Sequence, residues 1–290
     1  MALPTLHAHL LGQARSLLFV PGNRPQRFGK AMASGADAVI LDLEDSVPAS
    51  EKSAARAHVL DALPELQHQG QPLVVRLNGL DSAAGSEDVE WFVALGASAS
   101  AVALMLPKAE TRESIERLAA RLPDATLIPI IESAAGYASA PQIAAAANVL
   151  RLAVGHIDFM ADTGIDCSAD EAELAPLRFA VAMATRLHRL APAIDGVTVS
   201  IGDDRRLQDD TQRALRFGFG GKLCIHPSQI ATVHAAMAPS REEVVWAERV
   251  MAADAASHGA AVQLDGRMVD APMVLRARRL LARVRSVPPR

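Results

Sequence analysis

Glu132 closes the apolar run of TLIPIIES, and Asp158 follows the next apolar run, VLRLAVG, within the segment VGHID. Two carboxylates at the ends of consecutive apolar runs make a hard-oxygen pair suited to Mg²⁺, or to Mn²⁺. Such ions take one or two protein carboxylates and leave the other positions to water and substrate oxygens. A carboxylate just ahead of a helix also caps its first N–H groups, so spacing alone leaves ligation and capping both open. Arg76, in VVRLN, puts a charged side chain at the end of a third apolar run. Its planar fork fits a substrate carboxylate through two parallel hydrogen bonds. It equally fits an ion pair with Glu44 or Asp45 of the preceding run, AVILDLEDS, and both readings hold if the acids orient the arginine. Asp42, Glu44 and Asp45 make that run-end strongly acidic, and only the members pointing into the site bear on chemistry. GFGGK, at 218–222, precedes its apolar run and reads as a tight helix-to-strand turn rather than a phosphate cradle. His226 reads as a hydrogen-bonded structural residue.

Positioning these groups requires a scaffold, and the chain supplies eight candidate strands: 16–22, 38–46, 72–79, 101–108, 126–133, 149–155, 196–200 and 222–227. They are rich in Val, Ile and Leu and alternate with amphipathic stretches, as parallel strands and their covering helices do. Eight such repeats in about 230 residues fit an α/β fold of the (β/α)₈ TIM-barrel class. A doubly wound open sheet is the alternative. No GxGxxG follows the first strand, and polar residues end nearly every strand instead of clustering at one switch point. Those ends read Asn23, Glu44 and Asp45, Arg76 and Asn78, Lys108, Glu132, Asp158, Ser200 and His226. In a closed barrel they share one mouth. Beyond the barrel, a helix over 241–259 is followed by a turn at Asp265–Gly266, a helix start at Asp270 and an Arg-rich helix with a solvated face. The expected division is a catalytic barrel over 1–238 and a C-terminal helical extension over 239–290.

The 290 residues are 50% hydrophobic and 21% charged, which excludes disorder as the dominant state. A formal charge of -4 lacks the basic surplus that phosphate backbones demand, so nucleic acid is not an expected partner. Only 3% of residues are aromatic, too few for base-stacking platforms. Cys167 and Cys224 form no metal or disulfide spacing, and no signal-like or membrane-spanning run is present. The expectation is a cytoplasmic protein without a membrane partner.

RSLLFVPGN, DLEDSV, VVRLNGLDS, LPKAE, IIESAAG and GKLCIHPSQI together resemble the citrate lyase β-subunit-like enzymes of the HpcH/HpaI aldolase superfamily, over about residues 15–270. Members of that group include citryl-CoA, malyl-CoA and citramalyl-CoA lyases, metal-dependent (β/α)₈ barrels that usually form trimers or larger assemblies. The resemblance implies Glu132 and Asp158 as ligands of Mg²⁺, with Glu132 also lining the substrate site. Arg76 becomes the clamp on a 2-oxo-acid, with Glu44 in the catalytic set beside it. Arg15, Pro21 and Lys30 match the first strand and helix near the CoA-binding side. GRMVDAP looks like the segment that crosses to a neighbouring subunit's barrel, which makes Asp270 a catalytic acid-base. Where most relatives carry Gly-Ala-Glu-Asp, this chain has Gly155-His156-Ile157-Asp158, keeping the aspartate but losing an acid. The implied activity is Mg²⁺-dependent cleavage of a 3-hydroxyacyl-CoA thioester to acetyl-CoA and a 2-oxo-acid, in a homotrimer or a multiple of it. The alternatives are a metal-dependent 2-oxo-acid aldolase that uses no CoA, and a non-catalytic acyl-CoA-binding subunit.

Overall fold

Val39, Ile40, Leu41, Val74 and Val75 are all fully buried, because each strand lies between the barrel interior and a covering layer of helices. The computed structural model describes residues 3–96, 102–256, 262–264 and 267–285. Their order is α1 (Leu3–Gln13), β1 (Ser16–Pro21), α2 (Phe28–Met32), β2 (Ala38–Asp42), α3 (Lys52–His68), β3 (Leu73–Arg76), α4 (Ala83–Leu95), β4 (Val102–Leu106) and α5 (Arg112–Arg121). There follow β5 (Thr126–Ile131), α6 (Ala134–Ala144), β6 (Ala153–Val154), α7 (His156–Thr163), α8 (Ala175–Leu187), β7 (Ile194–Asp195), α9 (Asp204–Arg216), β8 (Gly221–Cys224) and α10 (Gln229–Met237). Each strand from β1 to β8 pairs in parallel with the next, and β8 closes on β1 through Ser16 opposite Lys222. The expected TIM barrel is therefore what forms.

The barrel interior is filled by Leu17, Ile40, Val74, Met105, Ile128, Ala153, Ile194 and Leu223, joined from below by Leu11 of α1 and by Ala14. Helix α1 is not apparent in the sequence pattern. Its C-terminal end leaves carbonyls that need donors, and the wholly buried Arg151 supplies them, donating from Nη1 to the carbonyls of Leu11 and Ala14 at 2.8 Å each. Arg151 Nε donates to the Pro192 carbonyl at 2.7 Å, and burial draws its pKa down to about 9.

The seventh strand departs from expectation, since it is Ile194–Asp195 rather than 196–200. Past Asp195 the backbone finds side chains instead of a neighbouring strand. Lys222 Nζ donates to the Gly196 carbonyl, and Gln229 Nε2 donates to the Thr198 carbonyl at 2.9 Å. The polar end of this strand is thus Asp195, not Ser200. The sixth strand is also shorter than its apolar run.

The chain separates into two compact units, Met1–Ala236 and Met237–Arg290. In the second, α11 (Arg241–Ala256) and α12 (Ala271–Arg285) share a core of Ala247, Val250, Val269, Val274, Ala277 and Leu280. Strand β9 (Val262–Leu264) pairs antiparallel with β10 (Arg267–Val269). The turn expected at Asp265–Gly266 lies outside the described residues. Arg276, Arg278 and Arg279 are exposed, as the solvated face requires. Among the described residues no helix is long and apolar enough to cross a membrane.

Candidate active site at the barrel mouth

Arg76 ends β3 with its guanidinium held on several sides. Nε donates to Asp42 Oδ1 at 2.6 Å and Nη2 to Asp42 Oδ2 at 2.8 Å, a two-point pair with the last residue of β2. Nη1 lies 2.9 Å from Glu44 Oε2 and 3.6 Å from Asp45 Oδ2. The Phe19 ring sits 4.7 Å from the guanidinium carbon, a cation–π contact. Asp42 also accepts from the Glu44 N–H at 2.9 Å, which ties the turn after β2 to the arginine's anchor. Burial pushes the Asp42 carboxyl up, but the hydrogen bonds and charge of Arg76 overcome this and hold it below the usual range. Asp42, Glu44 and Asp45 thus hold Nε and both Nη nitrogens of the fork in place at the end of β3, and a substrate carboxylate there would share the Nη edge with Glu44 and Asp45.

Glu132 follows β5 and is only 4% exposed. It does not cap α6. Ser133 does, its side chain accepting from the Gly136 N–H. Glu132 Oε1 instead accepts from the Lys108 N–H at 2.6 Å. Lys108 adopts a left-handed backbone (φ 50), which is uncommon for a residue with a side chain. Its Nζ reaches back to Glu44 Oε1 at 3.0 Å, so one residue connects the acids of β2 and β5. Gly155, after β6, is required by proximity, because a Cβ there would lie 2.2 Å from Glu132 Oε2. Asp158 stands in the first turn of α7, a helix with no side-chain cap, where the N-terminal partial charge favours a carboxylate.

Burial lifts the Glu132 pKa to about 8. The Lys108 N–H opposes the rise, while the charges of Glu44 and Asp158 add to it. Burial likewise raises Glu44 against the attraction of Arg76. Between the ordinary Glu value of 4.5 and about 8, the folded chain holds a proton on Glu132 that the unfolded chain has lost. Stability contributed at this site therefore falls as pH rises through that window. Metal-free protein in EDTA should show a smaller loss of Tm from the acid to the alkaline end of the window when Glu132 is replaced by Gln. Parallel pH profiles for Glu132→Gln and the unmodified chain would count against the raised carboxyl.

Not every expected residue joins this cluster. Arg15 precedes β1 and lies at the end opposite the mouth, its Nε 3.0 Å from Asp37 Oδ2 and its Nη2 3.1 Å from Oδ1. It is a floor ion pair and not a ligand-binding group at the mouth, because adjacency to a strand does not say which end a residue occupies. Pro21 ends β1 opposite Asp42, at the mouth. Lys30 is exposed on α2, and Arg24 and Arg27 are exposed just ahead of that helix. His226 bonds Ser228 Oγ at 2.8 Å, a local structural role. Asp270 is exposed in the second unit, and its Oδ1 accepts from the Met273 N–H at 3.2 Å at the start of α12.

The sequence model of HpcH/HpaI aldolase/citrate lyase matches residues 15–227. The chain belongs to the HpcH/HpaI aldolase/citrate lyase family. A citrate lyase subunit beta-like protein of Mycobacterium tuberculosis is 38% identical over 272 residues, spanning 92% of this chain and 94% of that protein. The (3S)-malyl-CoA thioesterase of Cereibacter sphaeroides is 32% identical over 283 residues, 97% of this chain and 98% of that one. Among solved structures, M. tuberculosis CitE in complex with magnesium, acetoacetate and coenzyme A matches with a TM-score of 0.79 at 34% identity, covering 93% of this chain and 98% of that chain.

This member of the HpcH/HpaI family carries a second ionic cluster on the β7 side. Glu171 Oε2 accepts from Arg178 at 2.6 Å and from Arg213 at 2.7 Å, while Oε1 accepts from Arg206 at 2.7 Å. Arg178, its side chain 1% exposed, also donates to Asp195 at 2.9 Å. Removing one partner of a buried pair costs about 3–5 kcal/mol. Glu171→Ala should therefore lower the Tm clearly in thermal unfolding, whereas a Tm within a degree or so of the parent would show that the cluster contributes little.

Proposed function

We propose that the protein cleaves a 3-hydroxyacyl-CoA thioester bearing a carboxylate, of the citryl-, malyl- or citramalyl-CoA type, into acetyl-CoA or a close homologue and a 2-oxo-acid. The observation that carries this reading is one barrel mouth holding an oriented Arg76 fork together with the Glu132 and Asp158 carboxylates. The likeness to CitE bound to magnesium, acetoacetate and coenzyme A supports it. Glu132 and Asp158 fit Mg²⁺ chemically. A buried carboxylate crowded by Glu44 and Asp158, with its pKa pushed to about 8, is relieved by a divalent cation. Mg²⁺ takes one or two protein carboxylates and keeps its other positions for water and substrate, so a pair is enough. When bound, Mg²⁺ supplies Lewis acidity that lowers the pKa of the substrate hydroxyl.

The chain's own residues do the rest. Arg76 takes the carboxylate next to the hydroxyl-bearing carbon, and Asp42 and Glu44 keep its fork in plane. Lys108 holds Glu132 through its backbone N–H and Glu44 through its ammonium. As the hydroxyl proton passes to water and its oxygen becomes the carbonyl of the 2-oxo-acid, the bond to the thioester's α-carbon breaks and its electron pair passes to the thioester as an enolate. Asp270, reaching from a neighbouring subunit of a trimer or larger ring, then delivers a proton to that carbon.

Coupled assays with citryl-, malyl- and citramalyl-CoA in Mg²⁺ test the reaction. Thioester hydrolysis at the same site is the second reading, favoured by the C. sphaeroides relative, and would release free CoA with the hydroxy-acid intact. Cleavage of free hydroxy-oxo-acids without CoA would instead mark the plain aldolase. Arg76→Lys keeps charge but loses the fork, and a hydrogen bond to a charged group is worth about 1.5–3 kcal/mol. The Kd of a 2-oxo-acid, measured by calorimetry with Mg²⁺, should rise roughly tenfold or more. An unchanged Kd would remove Arg76 as the clamp.

A further inference from the structure

A cleft of about 410 Å³ opens on the β6–β7 side of the mouth. Ile157, Met160, Val197 and Val199 give it apolar surface and the exposed Ser200 a hydroxyl, while the hydroxyls of Thr198 and Ser168 already donate to Asp210 and to Asp170 and Glu173. Among the described lining residues the one cation is Arg206, and it is already committed, lying 2.7 Å from Glu171 and 2.9 Å from Asp210. Asp166 and Asp203 add further carboxylates. A second carboxylate entering here would lose its hydration and meet four lining carboxylates, Asp166, Glu171, Asp203 and Asp210, around that one cation. An uncharged chain would gain apolar contact, and a hydroxyl-bearing one could also meet Ser200.

His156 links this cleft to the metal-ligand pair. It begins α7 two residues before Asp158, lines the cleft and is 4% exposed. Gly196, after β7, makes room for it, since a Cβ there would lie 2.1 Å from His156 Nδ1. Around the rim the order is Arg76 at β3, Glu132 at β5, Asp158 after β6, then the cleft between the segments following β6 and β7. To reach this cleft, a 2-oxo-acid anchored by its carboxylate on Arg76, with its oxygens toward Glu132 and Asp158, must run its remaining carbons on past Asp158 in that rim order.

We propose that this cleft receives the side chain of the 2-oxo-acid half of the substrate and selects an uncharged aliphatic or hydroxyl-bearing chain over a second carboxylate. The inference rests on the proposed function and narrows its substrate class. The test is calorimetric titration of the Mg²⁺-loaded protein with pyruvate, oxaloacetate, 2-oxobutyrate and 4-hydroxy-2-oxobutyrate. The two uncharged four-carbon acids should bind at least about tenfold tighter than oxaloacetate, in keeping with what a small group contributes in a shaped pocket. Ser200→Trp, which fills the cleft from an exposed loop, should abolish that preference and leave pyruvate unchanged. Val199→Arg, which adds an uncommitted cation, should raise oxaloacetate affinity roughly tenfold. Oxaloacetate binding as tightly as the uncharged acids, or a preference untouched by Ser200→Trp, overturns the subsite while pyruvate binding keeps the parent reading intact. If pyruvate itself fails to bind and Arg76→Lys changes nothing, the parent reading fails and the subsite with it.

Discussion

Glu132→Ala should remove metal-dependent turnover while leaving the barrel folded, and Asp158→Ala should do the same. The fold survives because the loss of Glu132 forfeits a hydrogen bond from the Lys108 N–H, a cost of about 1–3 kcal/mol that a barrel of this size tolerates. Ser133, not Glu132, caps α6, and the ionised form of Glu132 is disfavoured by burial and by its acidic neighbours. Asp158 sits in the first turn of a helix that begins without a side-chain cap, so its loss forfeits a dipole interaction of about 0.3–1 kcal/mol. The chemistry does not survive. A bound divalent cation contributes several kcal/mol of charge stabilisation, and each 1.36 kcal/mol is tenfold in rate, so kcat should fall by roughly 10³-fold or more. Circular dichroism and Tm should stay near the parent while Mg²⁺ binding by calorimetry is lost. Full activity of the parent in EDTA, or of either variant in Mg²⁺, would sink the metal assignment.

The barrel is legible in the sequence because parallel strands buried on both faces are written as unbroken apolar runs, and AVILD, LVVR and TLIPII are of that kind. The seventh strand is misplaced for a physical reason. VTVS has the β-branched composition of a strand, yet its backbone is served by the side chain of Gln229, while the true strand ends in a buried aspartate that looks like loop. Helix α1 is hidden because its function is to plug the barrel floor, and the donor that fixes its carbonyls, Arg151, is far away in sequence. The carboxylates and Arg76 can be picked out because charge at the end of an apolar run is conspicuous. What cannot be read is their wiring. Asp42, rather than Glu44 or Asp45 alone, makes the two-point contact with Arg76. Lys108 appears in the sequence as one strand end among eight, and only its left-handed backbone and two contacts reveal that it joins Glu44 to Glu132. Arg15 misleads because nothing local distinguishes the floor of a barrel from its mouth, and its partner Asp37 comes from the next repeat.

Asp270→Asn should retain Mg²⁺ and 2-oxo-acid binding yet slow proton transfer at the acetyl carbon by roughly 10²- to 10⁴-fold, the span typical of a general acid-base residue. The substitution is informative because asparagine caps a helix about as well as aspartate. The contact with the Met273 N–H that begins α12 can therefore persist, and loss of activity cannot be charged to an unfolded second unit. The exposed carboxyl belongs to residues 237–290, a compact unit with its own core, so its proposed role is best tested by separating it genetically from an intact barrel. Chains carrying Asp270→Asn and chains carrying Glu132→Ala are each expected to be inactive alone. In a closed ring of subunits, mixing them creates positions where an intact metal pair faces an intact aspartate, and part of the activity should return. Isotope exchange at the acetyl methyl group, followed by NMR with Mg²⁺ and a 2-oxo-acid present, isolates the proton-transfer step from carbon–carbon cleavage. If native mass spectrometry shows that subunits have exchanged and neither turnover nor methyl exchange recovers, Asp270 does not act across subunits, and the aldolase that uses no CoA becomes the better account of the barrel.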